Sequence, residues 1–322
     1  MARYMRNTTI LAKVNTGSYG TDAAPAGASD AILVSDCTIT HMYNNVDRDL
    51  IRSTFGASEQ LVGTKHVAIE FTTELQGSGT AATAPAWGTL VRGCGMAVVT
   101  GLLTPSRVEC NPVSTGFEDL TIYYYLDGAL HKATGCRGNV EIGAGIGERP
   151  TLKFSFLGLD AGVTAAAPSG VTYAAWKTPL VVTEANVAVF NMGCTYSAGA
   201  FVGGAEVCSR GLSLNLGNDV QHIPTLGCEG VDIVSRSATG SLSLDLAAAA
   251  EVTAMTAVEA NTLTSIGMTI GSTTGYRVMI FCPYVQRTNP KYEDVNGRAH
   301  LSFDLRVVPG STGNDEIKII TT

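Results

Sequence analysis

The groups in this chain that could do chemistry are a pair of carboxylates at Glu70 and Glu74, eight cysteines and five histidines. Glu70 and Glu74 sit in an alternating stretch, and residues four apart on a strand stand roughly 13 Å apart. That exceeds the separation used by paired-carboxylate hydrolysis, so the two acids read as part of a solvated strand face. Cys37 and His41, beside Asp36, could form a thiol–imidazole pair, but no third group stands ready to orient the imidazole. The histidines (His41, His66, His131, His222, His300) are far apart, and no Cys-x-x-Cys pair occurs among Cys37, Cys94, Cys110, Cys136, Cys194, Cys208, Cys228 and Cys282. These thiols read as reduced, mostly buried small hydrophobes. Gly143-Ala144-Gly145-Ile146-Gly147 fails the dinucleotide fingerprint at its last position and reads as a Gly-rich turn. The expectation is a chain with no catalytic residue, no metal and no cofactor.

Composition points the same way. The chain has 322 residues, 45% hydrophobic and 15% charged, with 36 Gly. Its mean hydropathy is +0.18. It can bury one large or two ordinary cores, and so few charges leave much of the surface to be covered by partners. The net charge is −7, from 21 Lys+Arg against 28 Asp+Glu, and no Lys/Arg run occurs. Phosphate-neutralising binding to nucleic acid is excluded on that count. The best apolar run, Leu90 to Leu103, is broken by Arg92 and glycines, so no membrane span is expected. Only Ile10-Leu11-Ala12 follows the basic start, too short for a secretory core, which predicts a chain that stays in the cytosol after synthesis.

The elements that would position these groups are mainly β. Residues 1–29 read as an N-terminal arm with turn signals at Gly17-Ser18-Tyr19-Gly20 and Pro25-Ala26-Gly27, unable to hold itself in a core and expected to order only against a neighbouring subunit. A strand follows over Ile32 to Thr40. Tyr43 to Gly63 is a long polar excursion carrying Asp47, Arg48, Asp49, Arg52 and Glu59. Val67, Ile69, Phe71, Thr73 and Leu75 alternate with Ala68, Glu70, Thr72 and Glu74, which makes a half-buried strand. Pro85 opens a helix with Trp87, Leu90, Val91 and Cys94 on one face. Asp127-Gly128 and Asn296-Gly297 predict tight hairpin turns. The stretch from Asp160 to Ser169 reads as an inter-domain linker.

Spacing repeats across the chain. Arg149-x-x-Leu152-x-Phe154-x-Phe156 returns as Arg298-x-x-Leu301-x-Phe303-x-Leu305, and the run ending Glu74-Leu75 returns as one ending Asp245-Leu246, each with a helix-like stretch behind it. The Gly/acid segments Phe55-Gly56-Ala57-Ser58-Glu59 and Leu226-Gly227-Cys228-Glu229 precede the two runs. Matched landmarks in one order predict a duplication. The fold class is mainly β (α+β), with a first unit over 30–159, a linker over 160–179 and a second unit over 180–322, each with one helix. Glu70, Glu74 and the counterpart Asp245 alternate with apolar neighbours, so they lie on the open face of their strands.

Several segments together resemble the major tail tube proteins of long-tailed bacteriophages: Thr8-Thr9-Ile10-Leu11-Ala12-Lys13, Tyr19 to Pro25, Gly77-Ser78-Gly79-Thr80 with Ala84-Pro85-Ala86-Trp87-Gly88, Gly116-Phe117, and Leu126-Asp127-Gly128 with Leu130-His131-Lys132. The likeness covers most of residues 8 to 157; the second half enters through the repeat. What the resemblance implies is two tandem β-sandwich or barrel domains, each with a flanking helix, whose sheets join those of neighbours into rings. The rings stack into a virion tail assembled in the host bacterial cytoplasm. Partners would be the chain itself, a tape measure protein, a tail terminator and distal tail or baseplate proteins, with double-stranded DNA passing without specific binding. Glu70, Glu74 and Asp245 would face the lumen. The excursion from Tyr43 to Gly63, and its counterpart Asn218 to Val234, would reach the next ring. Three chains of two domains would complete a ring with pseudo-sixfold symmetry. The competing readings are a capsid decoration or tail-tip adhesin, and a cysteine-dependent enzyme.

Overall fold

The computed structural model describes residues 3–186 and 189–322. Its first half runs β1 (Thr8–Val14), β2 (Ala31–Ile32), β3 (Ser35–Val46), β4 (Leu61–Glu74), α1 (Gly88–Gly93), β5 (Met96–Leu103), β6 (Ser106–Pro112), β7 (Leu120–Leu126), β8 (Ala129–Gly145) and β9 (Thr151–Ala165). The second half runs β10 (Val189–Met192), β11 (Thr195–Ser197), β12 (Ala200–Val202), β13 (Ala205–Glu206), β14 (Cys208–Asn215), β15 (Asn218–Ile223), β16 (Gly230–Arg236) and β17 (Thr239–Asp245). It continues through α2 (Ala248–Glu259), β18 (Leu263–Ile270), β19 (Val278–Val295), β20 (Arg298–Val307) and β21 (Lys318–Thr321). The protein is mainly β, as its alternating patterns predict.

All pairings are antiparallel. In the first half they follow the order β3–β4–β9–β8–β7–β1–β2. In the second they follow β14–β17–β20–β19–β18–β10–β13. The two series meet where β14 pairs with β8, from Glu141↔Asn215 to Gly145↔Gly211. β21 also ties β19 to β6, the second strand of the β5–β6 hairpin of the first half.

Alternation decides which side of each strand is buried. Val67, Ile69 and Phe71 of β4, with Leu75 just beyond its end, pack in one cluster with Leu152, Phe154 and Phe156 of β9 and with Trp87, Leu90 and Val91 around α1. Leu242 and Leu244 of β17 pack with Leu301, Phe303 and Leu305 of β20, and both groups belong to one continuous core. The glycine turns form as their chemistry requires: Asp127 and Gly128 have φ of 41° and 86°, Asn296 and Gly297 54° and 83°, the left-handed pairs of a two-residue hairpin.

Three expectations change. The N-terminal arm is not free of its own core: β1 pairs along its whole length with β7, and Ile10, Leu11, Ala12 and Val14 are buried. Its turns then lie across the same sheet, with Asn15 donating to Asp119 at 3.1 Å and Tyr123 donating to Asp22 at 2.7 Å. The linker stretch begins as strand, because β9 continues to Ala165 opposite Ala129. The excursion is shorter than Tyr43 to Gly63, since β3 runs on to Val46 and β4 begins at Leu61.

Glu109 anchors the C-terminal strand. Only 8% exposed, it accepts hydrogen bonds from Arg107 Nε at 2.6 Å, Tyr196 Oη at 2.6 Å and Lys318 Nζ at 3.1 Å. Burial opposes its charge, but these donors together outweigh burial and hold the carboxyl below the usual glutamate range. A depressed folded pKa stabilises the protein above the unfolded value and is lost as the pH falls through the folded one. Urea midpoints should therefore drop below about pH 4 in the native chain. Glu109→Gln should flatten that drop; identical pH profiles would contradict this role.

Candidate functional site: a hydroxyl-rich sheet face and two hairpins

Opposite the core, one solvent face runs across β3–β4–β9–β8–β14–β17–β20–β19. Direct partners on a sheet point to the same side, and Thr38↔Glu70, Glu70↔Ser155 and Asn139↔Ser155 carry that side through the first half. Glu141↔Asn215 crosses the junction, and Ser213↔Ser241 and Ser241↔Asp304 continue it. Glu70, Glu74 and Asp245 thus share a single face, made mostly of hydroxyl and amide side chains.

Two of the three acids are ion-paired. Arg149 lies 3.1 Å from Glu74, and Arg298 lies 2.5 Å from Asp245. The geometry repeats: Glu74 stands opposite Thr151, two residues after its arginine, and Asp245, one beyond the Leu244↔Leu301 pair, stands opposite His300, again two residues after its arginine. Such partly exposed pairs contribute only about 0–1 kcal/mol each. Their effect is on the field of the face, because each arginine cancels its acid. Lys153 likewise stands opposite Glu141. The face is close to neutral where sequence alone suggested an acidic one, and Glu70 has no ion-pair partner among the described residues. The repeat of Arg149 and Arg298 was visible in the sequence, but not that each arginine reaches across to the matched acid.

The hairpin joining β3 to β4 projects away from the sheet. Arg48 pairs with Glu59, Arg52 lies 3.7 Å from the same carboxylate, and Gln60 donates to Asp47 at 2.5 Å; Asp49 makes no ion pair among the described residues. Ile51 and Phe55 near its tip are fully exposed. The β15–β16 hairpin of the second half is docked on the first half instead. Val231 N–H donates to Tyr19 Oη at 2.6 Å, Arg137 stacks on the Tyr19 ring and donates to the Val231 carbonyl at 3.0 Å, and Asn218 Nδ2 donates to the Cys94 carbonyl at 2.7 Å. Its tip, with Leu226, stands fully exposed.

The other reactive groups do not assemble. His41 meets His131 at 2.9 Å and Asp160 at 3.4 Å rather than Cys37, whose sulfur receives the Tyr124 hydroxyl at 3.8 Å. His66 stacks on His222 with ring centroids 4.5 Å apart. Burial, followed by the neighbouring His222, lowers the His66 pKa. All eight thiols are free; burial pushes the Cys110 thiol up to about 12, followed by the Glu109 charge, so it is no nucleophile at neutral pH. Cys94, Cys110, Cys136, Cys194 and Cys282 are buried and Cys37 partly so, as expected of a mostly buried set, while Cys208 and Cys228 are exposed. No cluster of three or more His, Cys, Asp or Glu side chains could hold a metal ion among the described residues.

No curated protein matches the sequence. The family model described as phage tail tube protein matches residues 5–315, so the chain belongs to the phage tail tube protein family, a structural and non-enzymatic component of the virion tail.

Proposed function

We propose that the chain is the major tail tube subunit, that it carries two tube-forming units in tandem, and that three copies close a ring through which double-stranded DNA passes. The observation that carries this reading is the unbroken run of eight strands, β3–β4–β9–β8–β14–β17–β20–β19, with a hydroxyl-rich face. Twenty-four strands at about 4.8 Å spacing and a tilt of about 40° close a barrel roughly 48 Å across its backbone. Inward side chains reduce that to a bore of roughly 35–40 Å, enough for one duplex. Six copies contributing all eight strands would double the bore and hold DNA loosely.

The face suits the cargo. Glu70, Glu74 and Asp245 line the bore, and because Arg149 and Arg298 cancel two of them the wall neither grips phosphates nor strongly repels them. The first unit takes in β1 and the whole of β9 beyond the 30–159 read from sequence, the second lies within 180–322, and their matching strand orders support the duplication. The segment 160–179 connects them, beginning as the end of β9. The β3–β4 hairpin, with Asp47, Arg48, Asp49, Arg52 and Glu59, reaches the next ring, and so does the tip at Leu226. Phe55 and Leu226 occupy matched, fully exposed tip positions, and exposed apolar groups on a charge-poor chain mark contact surfaces. The tape measure protein would lie along the bore during assembly, while the terminator and distal tail proteins would cap the stack.

Native mass of an isolated ring, with negative-stain images of the assembled protein, tests the reading. Annuli stacking into tubes and a mass of three chains are expected. Six chains per ring would place the second unit outside the barrel and overturn the three-chain closure.

A further inference from the structure

The eight-stranded run has two unpartnered edges. Among the described residues β3 pairs only with β4. β19 pairs with β20 along Lys291–Val295, while β18 covers its other side only as far as Gln286. The same arrangement exists in closed form inside the chain: β7 covers β8 as far as Cys136, and β14 takes over the same side from Glu141 to Gly145. β19 relates to β20 as β8 relates to β9, and β3 relates to β4 as β14 relates to β17. Even the irregularities match, since β3 and β14 both shift register at their start, between Ser35 and Thr38 and between Ser209 and Leu212.

We propose that Lys291–Val295 of one chain pairs antiparallel with Asp36–Thr40 of a second copy, repeating the β8–β14 junction between subunits. This rests on the ring reading above and adds its register. Aligning Phe154 with Phe303 makes Ile142 the counterpart of Tyr292, through their partners Leu152 and Leu301. Aligning Glu74 with Asp245 makes Leu214 the counterpart of Ile39, through Gly240 and Ile69. The internal pair Ile142↔Leu214 then becomes Tyr292↔Ile39 between chains, and Gly143↔Ser213 becomes Glu293↔Thr38.

Burial marks which junction is closed. Ile142 is 3% and Leu214 1% exposed at the internal junction, whereas Tyr292 is 65% exposed and Ile39 only partly buried. Tyr292 and Ile39 lie on the core side of their strands, so an apolar stripe stays open until a second copy covers it. Arg287 adds a second observation. It is 8% exposed, lies 5.5 Å over the Phe303 ring and leaves its Nε without a partner. It stands where β18 leaves the edge, so the carbonyls of an incoming strand can satisfy it. A β edge that pairs head to tail and closes removes the association hazard both edges carry in the free subunit.

Cysteine cross-linking tests the register. Leu216 N–H donates to the Val140 carbonyl at 3.0 Å, which makes Gly143↔Ser213 a non-hydrogen-bonded pair by alternation. Such pairs bring Cα atoms to about 4.5 Å, within disulfide reach. In tubes of Thr38→Cys with Glu293→Cys, oxidation should give a covalent ladder that ends at three chains. Thr40→Cys with Glu293→Cys, two residues out of register, should cross-link at least tenfold less. Normal tubes without cross-links, or equal cross-linking of both pairs, would overturn the register while leaving a three-chain ring mass intact. A ladder ending at six chains would support the edge pairing and overturn the three-chain ring instead. Hydrogen exchange of the unmodified protein gives the same answer without variants: peptides spanning 36–40 and 291–295 should slow at least tenfold on assembly. Unchanged exchange at either would overturn the pairing.

Discussion

A chain lacking residues 45–62 is expected to fold normally and to form no tubes. The deletion places Asn44 directly before Gly63, an Asn-Gly sequence suited to a tight turn. Pairing from Ser35↔Thr72 to Tyr43↔Lys65 is left in place. None of the deleted side chains is buried, and shortening the loop lowers its closure cost by about 1 kcal/mol, which offsets the loss of the Asn45↔Val62 and Val46↔Leu61 pairs. Stability should therefore change by less than about 1 kcal/mol. Assembly should fail completely, because the deletion removes Ile51 and Phe55, both fully exposed in the free subunit, and the Arg48–Glu59 pair. Circular dichroism and urea unfolding would register the intact fold, and sedimentation with negative-stain microscopy the loss of polymer. Tubes of normal length from the deleted chain would refute an inter-ring role for the hairpin.

Much of this architecture could be read from the residues because its causes are local. Asp127-Gly128 and Asn296-Gly297 announce their turns through the left-handed backbone they alone tolerate cheaply. The alternation through β4 announces which side is buried. What could not be read depends on partners distant in the chain. β1 looks like a weak arm until its seven residues meet β7, more than a hundred positions away; Tyr123, Tyr124 and Tyr125 supply the burial that the arm lacks by itself. β8 hides its length because glycine breaks the hydrophobic period. Gly138 is required there, since a Cβ would lie 2.5 Å from the Phe156 ring. The β8–β14 junction is hidden for the same reason: Gly211, at φ +129°, lets the backbone approach where a Cβ would lie 2.3 Å from the Ala144 carbonyl. Acidic residues could be placed on an open face, but their neutralisation by Arg149 and Arg298 depends on cross-strand geometry rather than composition.

Phe154→Ala and Phe303→Ala are expected to destabilise the whole subunit, each by about 3–5 kcal/mol. The two rings hold matched places in the repeated motif, yet their surroundings differ. Phe154 is wholly buried with ring centroids 5.7 Å from Phe71 and 5.8 Å from Phe156, and each aromatic pair adds about 0.5–1.5 kcal/mol beyond burial. Phe303 has the Arg287 guanidinium over its face instead, so its loss strands a buried cation whose pKa burial already lowers. Phe154→Ala should be the more costly of the two by about 1 kcal/mol. The decisive readout is how the damage spreads. Two units with separate cores would unfold separately, and Phe303→Ala would melt the second while the first stayed protected. Here Phe154, Leu214, Leu242 and Phe303 belong to one core, and β14 is hydrogen-bonded to both β8 and β17. Loss of Phe303 should therefore lower protection in β4 and β9 as well as in β17 and β20. Hydrogen exchange in mild denaturant would measure this. Full protection of β4 and β9 in the Phe303→Ala chain would mean that the two halves, though joined strand to strand, fold as independent units.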